Sequence, residues 1–128
     1  MITGIGIDVV NIAHFKRVVS RGGITFIKKT FCEEEQIAAR KYRAEKRLAF
    51  YAKRYAAKEA FVKAIGTGFG PLGLQDIWVE NDPSGQPHLM LSEKAKKFMK
   101  KTYKRPMHIH LSLSDDGVAA AIVVLDRV

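Results

Sequence analysis

Two acidic side chains and one lysine stand out as groups that could hold a metal and an anion together: Asp8, Glu59 and Lys63. Asp8 closes the alternating segment Ile2–Val9, where Ile5, Ile7 and Val9 point to one side of a strand and Gly4, Gly6 and Asp8 to the other. Two glycines on one face leave room for something to approach the backbone closely, with a carboxylate at the end of the gap. Glu59 is out of place in another way. Winding residues 45–65 as a helix at about 100° per residue puts Glu59 about 20° from Leu48, inside a stripe shared with Tyr51, Ala52, Tyr55 and Val62. A carboxylate among apolar groups is costly unless it is paired, hydrogen-bonded or metal-bound. Lys63, one turn on, offers the plain explanation, an i,i+4 pair worth about 0.2–0.5 kcal/mol. The functional explanation makes Glu59 a metal ligand, with Lys63 aimed at the same anionic ligand and Asp8 as the second carboxylate. Two carboxylates, with the remaining positions left to water and phosphate, is how proteins commonly hold Mg²⁺.

The elements that must position these groups are legible in outline. After the first strand, Asn11 can cap a helix with Ile12, Phe15, Val18 and Val19 as its apolar stripe, and Gly22-Gly23 should end it. Glu33-Glu34-Glu35 suits the first turn of a second helix running to about Tyr42. Residues 45–65, rich in alanine and long side chains, form the strongest helix of the chain, stopped by the GTGFGPLG segment. Asp76–Glu80 and His88–Leu91 read as strands joined by a turn. Ser92 caps a lysine-rich helix with Ala95, Phe98 and Met99 facing inward. His108–Ser114 and Val118–Leu125 form a hairpin around Asp115-Asp116-Gly117. The order β-α-α-α-β-β-α-β-β predicts a single small α+β domain over residues 1–128, an antiparallel sheet with a long central helix.

At 128 residues the chain suits one domain with a small core, so a site shared between subunits is worth considering. Its net charge of +9 calls for a polyanionic partner: nucleic acid, an anionic membrane face, a phosphorylated metabolite or an acidic protein. One cysteine, Cys32, excludes an internal disulfide and a cysteine-built zinc site. No apolar run reaches the roughly 20 residues of a membrane span, and the N-terminus has neither a basic segment nor a cleavage site. A cytoplasmic address is expected.

Gly6-Ile7-Asp8-Val9-Val10, followed by Arg54-Tyr55-Ala56-Ala57-Lys58-Glu59-Ala60-Phe61-Val62-Lys63-Ala64, closely resembles the paired motif of the holo-[acyl-carrier-protein] synthases, the small 4′-phosphopantetheinyl transferases. Ile65-Gly66-Thr67-Gly68, Asp76-Ile77, Asp82–Pro87 and Val118–Asp126 extend the resemblance along the whole chain. It implies the 4′-phosphopantetheinyl transferase fold and transfer of that arm from coenzyme A to a serine of acyl carrier protein, in support of fatty acid biosynthesis. Asp8 and Glu59 would ligate Mg²⁺, Lys63 would neutralise phosphate charge, and Glu59 would take the serine proton, releasing adenosine 3′,5′-bisphosphate. It further implies coenzyme A contacts from Arg54, Lys63, Gly66 and Gly68, with Arg47 beside Arg54. The helix bearing His14, Lys16, Arg17 and Arg21 would dock the acidic carrier, and a homotrimer would place its sites between subunits. For Arg47 and Arg54 a solvated surface role stays open, for Gly66 a plain helix cap, and for Lys58 a merely supporting charge.

One departure concerns Asp115, where many members of that family have histidine. An aspartate there would repel phosphate, and no cofactor contact is assigned to it. Two rival readings remain from the residues. A nucleic-acid-binding module would use the cations from Lys94 to Arg105, yet zinc-finger spacing, RNP-like aromatics and a GXXG loop are all missing. A non-catalytic scaffold binding coenzyme A would need the glycines and arginines but not Asp8, Glu59 and Lys63 together.

Overall fold

A computed structural model describes residues 1–128. The elements are β1 (Ile2–Asn11), α1 (Ile12–Thr30), α2 (Glu33–Ala39), α3 (Ala44–Ile65), a 3₁₀ turn (Leu74–Asp76), β2 (Ile77–Asn81), β3 (Pro87–Leu91), α4 (Glu93–Tyr103), β4 (Met107–Asp115) and β5 (Val118–Arg127). The α+β order is the expected one. β1, β5 and β4 form an antiparallel sheet with β5 in the middle, and β2 and β3 form a separate hairpin.

The gap on the glycine side of β1 is filled by α3. A Cβ added to Gly4 would lie 2.2 Å from the Ala64 carbonyl oxygen, and one added to Gly6 would lie 1.9 Å from that of Ala60. Strand and helix thus touch main chain to main chain, with the alanines of α3 supplying the other half of the fit. The opposite side of β1 faces outward, leaving Ile5, Ile7 and Val9 60%, 58% and 59% exposed.

Two readings of the helices need correction. Gly23 does not end α1: it takes a single non-helical conformation (φ 58°, ψ −148°) that kinks the chain, and helix resumes through Thr30. Glycine alone enters that region cheaply, so one residue re-aims the helix without stopping it. The single apolar stripe expected on α3 is likewise too narrow. One core packs Ala57, Phe61 and Leu125 together; a second holds Phe31 and Phe50 against Tyr51, with Phe15 beside Tyr55. With a core on either side, α3 is buried around most of its circumference from Phe50 to Ala64.

That burial encloses an ion pair. Lys58, fully buried, donates to Glu35 Oε1 at 2.7 Å, to the Leu74 carbonyl at 2.8 Å and to the Ile77 carbonyl. Burial pushes the Glu35 carboxyl up and the Lys58 ammonium down, and each opposes the shift of the other. Three acceptors around one nitrogen require three N–H donors, so the geometry belongs to the ammonium form. Glu35 also accepts from the Cys32 N–H at 3.2 Å, which fixes the start of α2. Burial, with help from Glu34 and Glu35, pushes the Cys32 thiol up to about 12. At pH 8 alkylation of Cys32 by iodoacetamide, followed by intact mass, should be at least about tenfold slower than for free cysteine. Equal rates would contradict this environment.

Candidate active site

Asp8 and Glu59 line one cleft of about 320 Å³ between β1, α1 and α3. β1 delivers Asp8 at the far end of the glycine contact, and α3 delivers Glu59 one residue before Ala60, whose carbonyl faces Gly6. The close packing that brings the helix onto the strand therefore also brings the carboxylates onto one opening. Both are partly buried. Lys63, a turn beyond Glu59, reaches across to β1 instead of pairing along its own helix: its Nζ donates to Asp8 Oδ1 at 3.0 Å and to the Ile7 carbonyl at 3.1 Å. The i,i+4 explanation of Glu59 and Lys63 is thus not what the structure adopts.

The floor of the cleft is apolar, made by Val10, Phe15, Val18 and Phe26. Tyr55 closes one wall, its ring 5.6 Å from that of Phe15, and it stands one helical turn before Glu59 on α3. Burial pushes the Tyr55 hydroxyl up to about 12, with the negative charges of Glu59 and Asp8 adding to the effect. Tyr55 therefore stays protonated and available as a donor to Glu59. His14 stands at the rim, its N–H held by Asn11 Oδ1 at 2.9 Å in the helix cap, and Arg17 and Arg21 continue along the exposed side of α1.

Arg54 lies elsewhere. It is 5% exposed, its guanidinium carbon 3.7 Å from the centroid of the Phe50 ring, with Nη2 3.4 Å from Asn81 Oδ1 and no partner for Nε. The solvated-arginine reading fails here, since burial holds this side chain against an aromatic face. Its pocket, about 260 Å³ and lined by Tyr42, Lys46, Phe50, Lys53 and Asp115, shares no residue with the carboxylate cleft. Asp115 sits in it paired with Lys53 at 2.9 Å, so a basic neighbour offsets its charge. Arg47 has a structural job: its Nε donates to the Ala39 and Tyr42 carbonyls at the end of α2. Gly66 ends α3 in the left-handed conformation (φ 79°), its N–H donating to the Val62 carbonyl at 3.0 Å. Gly68 also has a positive φ, and both glycines face open space.

The structure thus brings Asp8, Glu59 and His14 to one cleft with Lys63 tied to Asp8, and it sets Arg54, grouped by the sequence reading with Lys63, apart from them. That sequence reading has gaps. It passed over Tyr55 as a plain apolar position. The signal available was its place four residues before Glu59, the spacing at which helical side chains meet. It also left Lys58 without a partner, although Glu35 was in view as an acid at a helix start.

Known proteins share this sequence and fold. A family model for the 4′-phosphopantetheinyl transferase superfamily matches residues 4–123. Holo-[acyl-carrier-protein] synthases from Wolbachia pipientis of Culex pipiens and from Zymomonas mobilis are 43% and 44% identical, over 98% of this chain and 98% and 97% of theirs. The crystal structure of the Neisseria meningitidis enzyme superposes with a TM-score of 0.90 at 32% identity, covering 99% of this chain and 100% of that one. The Bacillus anthracis enzyme, solved in complex with coenzyme A (3′,5′-ADP), gives 0.82 at 33% identity over 100% and 99%. With its fold, its paired motif and its full length all matched, the chain belongs to the 4′-phosphopantetheinyl transferase superfamily, among the holo-[acyl-carrier-protein] synthases.

Proposed function

We propose that residues 1–128 form one transferase domain that moves 4′-phosphopantetheine from coenzyme A to a serine of apo-acyl carrier protein, with Mg²⁺ held by Asp8 and Glu59. The observation that carries this reading is the shared cleft of those two carboxylates, with Lys63 tied to one of them and the basic side of α1 at the rim. Two hard oxygen donors from different elements, open to solvent on one side, fit a divalent cation that keeps positions for water and phosphate. When bound, Mg²⁺ supplies charge neutralisation to the diphosphate oxygens.

The side chains divide the remaining work. As the serine oxygen attacks the phosphorus bearing the pantetheine arm, Glu59 accepts its proton. The bond from that phosphorus to the bridging oxygen breaks, and adenosine 3′,5′-bisphosphate leaves. Lys63, reaching the cleft from one turn along α3, neutralises charge on the departing phosphate. The Tyr55 hydroxyl, kept protonated by burial one turn before Glu59, is a donor that carboxylate can use. His14, Arg17 and Arg21 face an acidic carrier helix, and the apolar floor beside them suits a nonpolar residue near its serine.

Arg54, Gly66 and Gly68 are proposed contacts for coenzyme A. A guanidinium lining a pocket together with Lys46 and Lys53 is a strong point for a phosphate to approach. Its pocket and the carboxylate cleft share no residue, and a coenzyme A seated between two copies of the chain could take one from each. The outward face of β1 and β5, where Ile5, Ile7, Val9 and Ile122 are all at least 40% exposed, is the surface such copies would bury. This supports a homotrimer with sites between subunits. No helix is long and apolar enough to cross a membrane. A cytoplasmic enzyme serving fatty acid biosynthesis, with no specific nucleic-acid target, completes the reading.

The test is incubation with apo-acyl carrier protein, coenzyme A and Mg²⁺, followed by intact mass of the carrier. Gain of one phosphopantetheine, abolished by EDTA, is expected; no gain with a folded protein and several carriers would overturn the proposal. Lys63→Ala should lower kcat by about 10²-fold with a smaller change in KM for coenzyme A, because the charge it meets develops as the phosphate leaves. A defect confined to KM would make Lys63 a ground-state clamp only.

A further inference from the structure

The largest charge excess outside this machinery lies on α4 and the turn that follows it. A cleft of about 380 Å³ opens there between α4 and the start of β4, the size of a small-ligand site. Leu91, Met99, Met107 and Ile109 form its apolar floor, and two of these are methionines, side chains that adapt their shape to what they hold. Lys96, Lys100 and Lys104 stand along one wall at successive turns, spanning about 12 Å of helix. Arg105 joins them from the turn before Pro106.

Local structure does not account for all of these cations. Lys100 lies in the last helical turn, where it complements the helix dipole. Lys104 lies beyond it, in the left-handed conformation (φ 57°) that costs a non-glycine residue free energy, and Arg105 follows. The acids near α4 go to Lys94, which meets Asp76 at 3.8 Å, and to Lys96, which meets Glu93 at 3.4 Å. Lys100, Lys104 and Arg105 have no acidic partner. An apolar floor beside three unpaired cations is complementary to a molecule with an alkyl chain and an anionic end. It is a poor seat for a purely polar polyanion, which would leave the floor wet.

We infer that this cleft binds a free fatty acid, its chain along Leu91, Met99, Met107 and Ile109 and its carboxylate among Lys100, Lys104 and Arg105. The site is separate from the carboxylate cleft and shares no residue with it. A recessed apolar floor with cations along one wall favours a single chain over a membrane surface, which would meet the lysines but leave the cleft unfilled.

The probe is dodecanoate below its micelle concentration, followed by methyl NMR of protein labelled at methionine. Met99 and Met107 methyl signals should shift in a saturable way, while Met1 stays in place. The double substitution Lys100→Glu/Lys104→Glu, on exposed side chains outside the transfer machinery, should weaken binding at least tenfold and leave the transfer rate without dodecanoate unchanged. Methyl dodecanoate, which has the chain without the charge, should also bind at least tenfold more weakly. Equal binding by the ester, unchanged binding by the double variant, or shifts confined to Met1 and Met90 would each overturn the inference. So would capture of the protein by anionic phospholipid vesicles with no response to monomeric dodecanoate, which would assign the surface to membranes.

Discussion

Asp8→Ala and Glu59→Ala should each abolish transfer, lowering turnover by about 10³-fold or more, while the protein keeps its fold. Each carboxylate is asked to do more than one thing. Asp8 holds Lys63 and lines the cleft with Glu59; the proposal gives each half of the cation site, and gives Glu59 the serine proton as well. Neither is fully buried, and neither makes the packing contacts between α3 and β1, which come from Gly4, Gly6, Ala60 and Ala64. Removing either should therefore cost little stability. Manganese binding, followed by electron paramagnetic resonance with coenzyme A present, should be lost in both variants, separating a missing cation from a missing base. Glu59→Gln sharpens the comparison, since it keeps an oxygen ligand but cannot accept the proton. Wild-type turnover in either alanine variant would remove the metal site from the mechanism.

The second large effect is on stability. Lys58→Ala leaves the Glu35 carboxylate buried, 1% exposed, with its cation gone and two backbone carbonyls without their donor. Breaking such a pair from one side costs about 3–5 kcal/mol, a large part of the roughly 5–15 kcal/mol that holds a domain together. Urea denaturation should show the midpoint falling steeply with little change in slope. Lys58→Met/Glu35→Leu, which removes both charges and refills the volume, should recover much of the loss. A single variant that loses less than about 1 kcal/mol would mean that water already reaches the pair.

These expectations differ in how far the sequence announced them. Asp8 and Glu59 were legible because each breaks a local pattern: a carboxylate on a glycine-lined strand face, and another within an apolar helical stripe. Their partners were less so. Lys63 reads as a helix-surface neighbour of Glu59 until the strand carrying Asp8 is packed beside it. Glu35 fits a helix start well enough that nothing called for Lys58, twenty-three residues away. Periodicity reports on one element at a time, whereas this pair joins α2, α3 and the turn before β2. The hairpins were placed because glycine and aspartate mark their turns locally, and the continuation of α1 was missed because Gly23 looks the same in a kink as in a stop. The burial of Arg54, for which a surface role stayed open, was hidden for a related reason: the Phe50 ring that receives it says nothing in the sequence about the second core packed around it.

The contact of Gly4 and Gly6 with α3 also bears on how this protein can change. The gap between the two acids is gauged by peptide groups, with no side chain acting as a spacer. Substitutions among the second-core aromatics that lie away from the cleft, such as Phe31 and Phe50, can therefore trade volume with one another while the separation of Asp8 and Glu59 stays calibrated. The tolerance vanishes at the strand itself, where a single added methyl would wedge the helix outward and widen the jaw for any ion held in it. The far side of the interior therefore has a freedom to drift that the main-chain seam and the cleft floor do not.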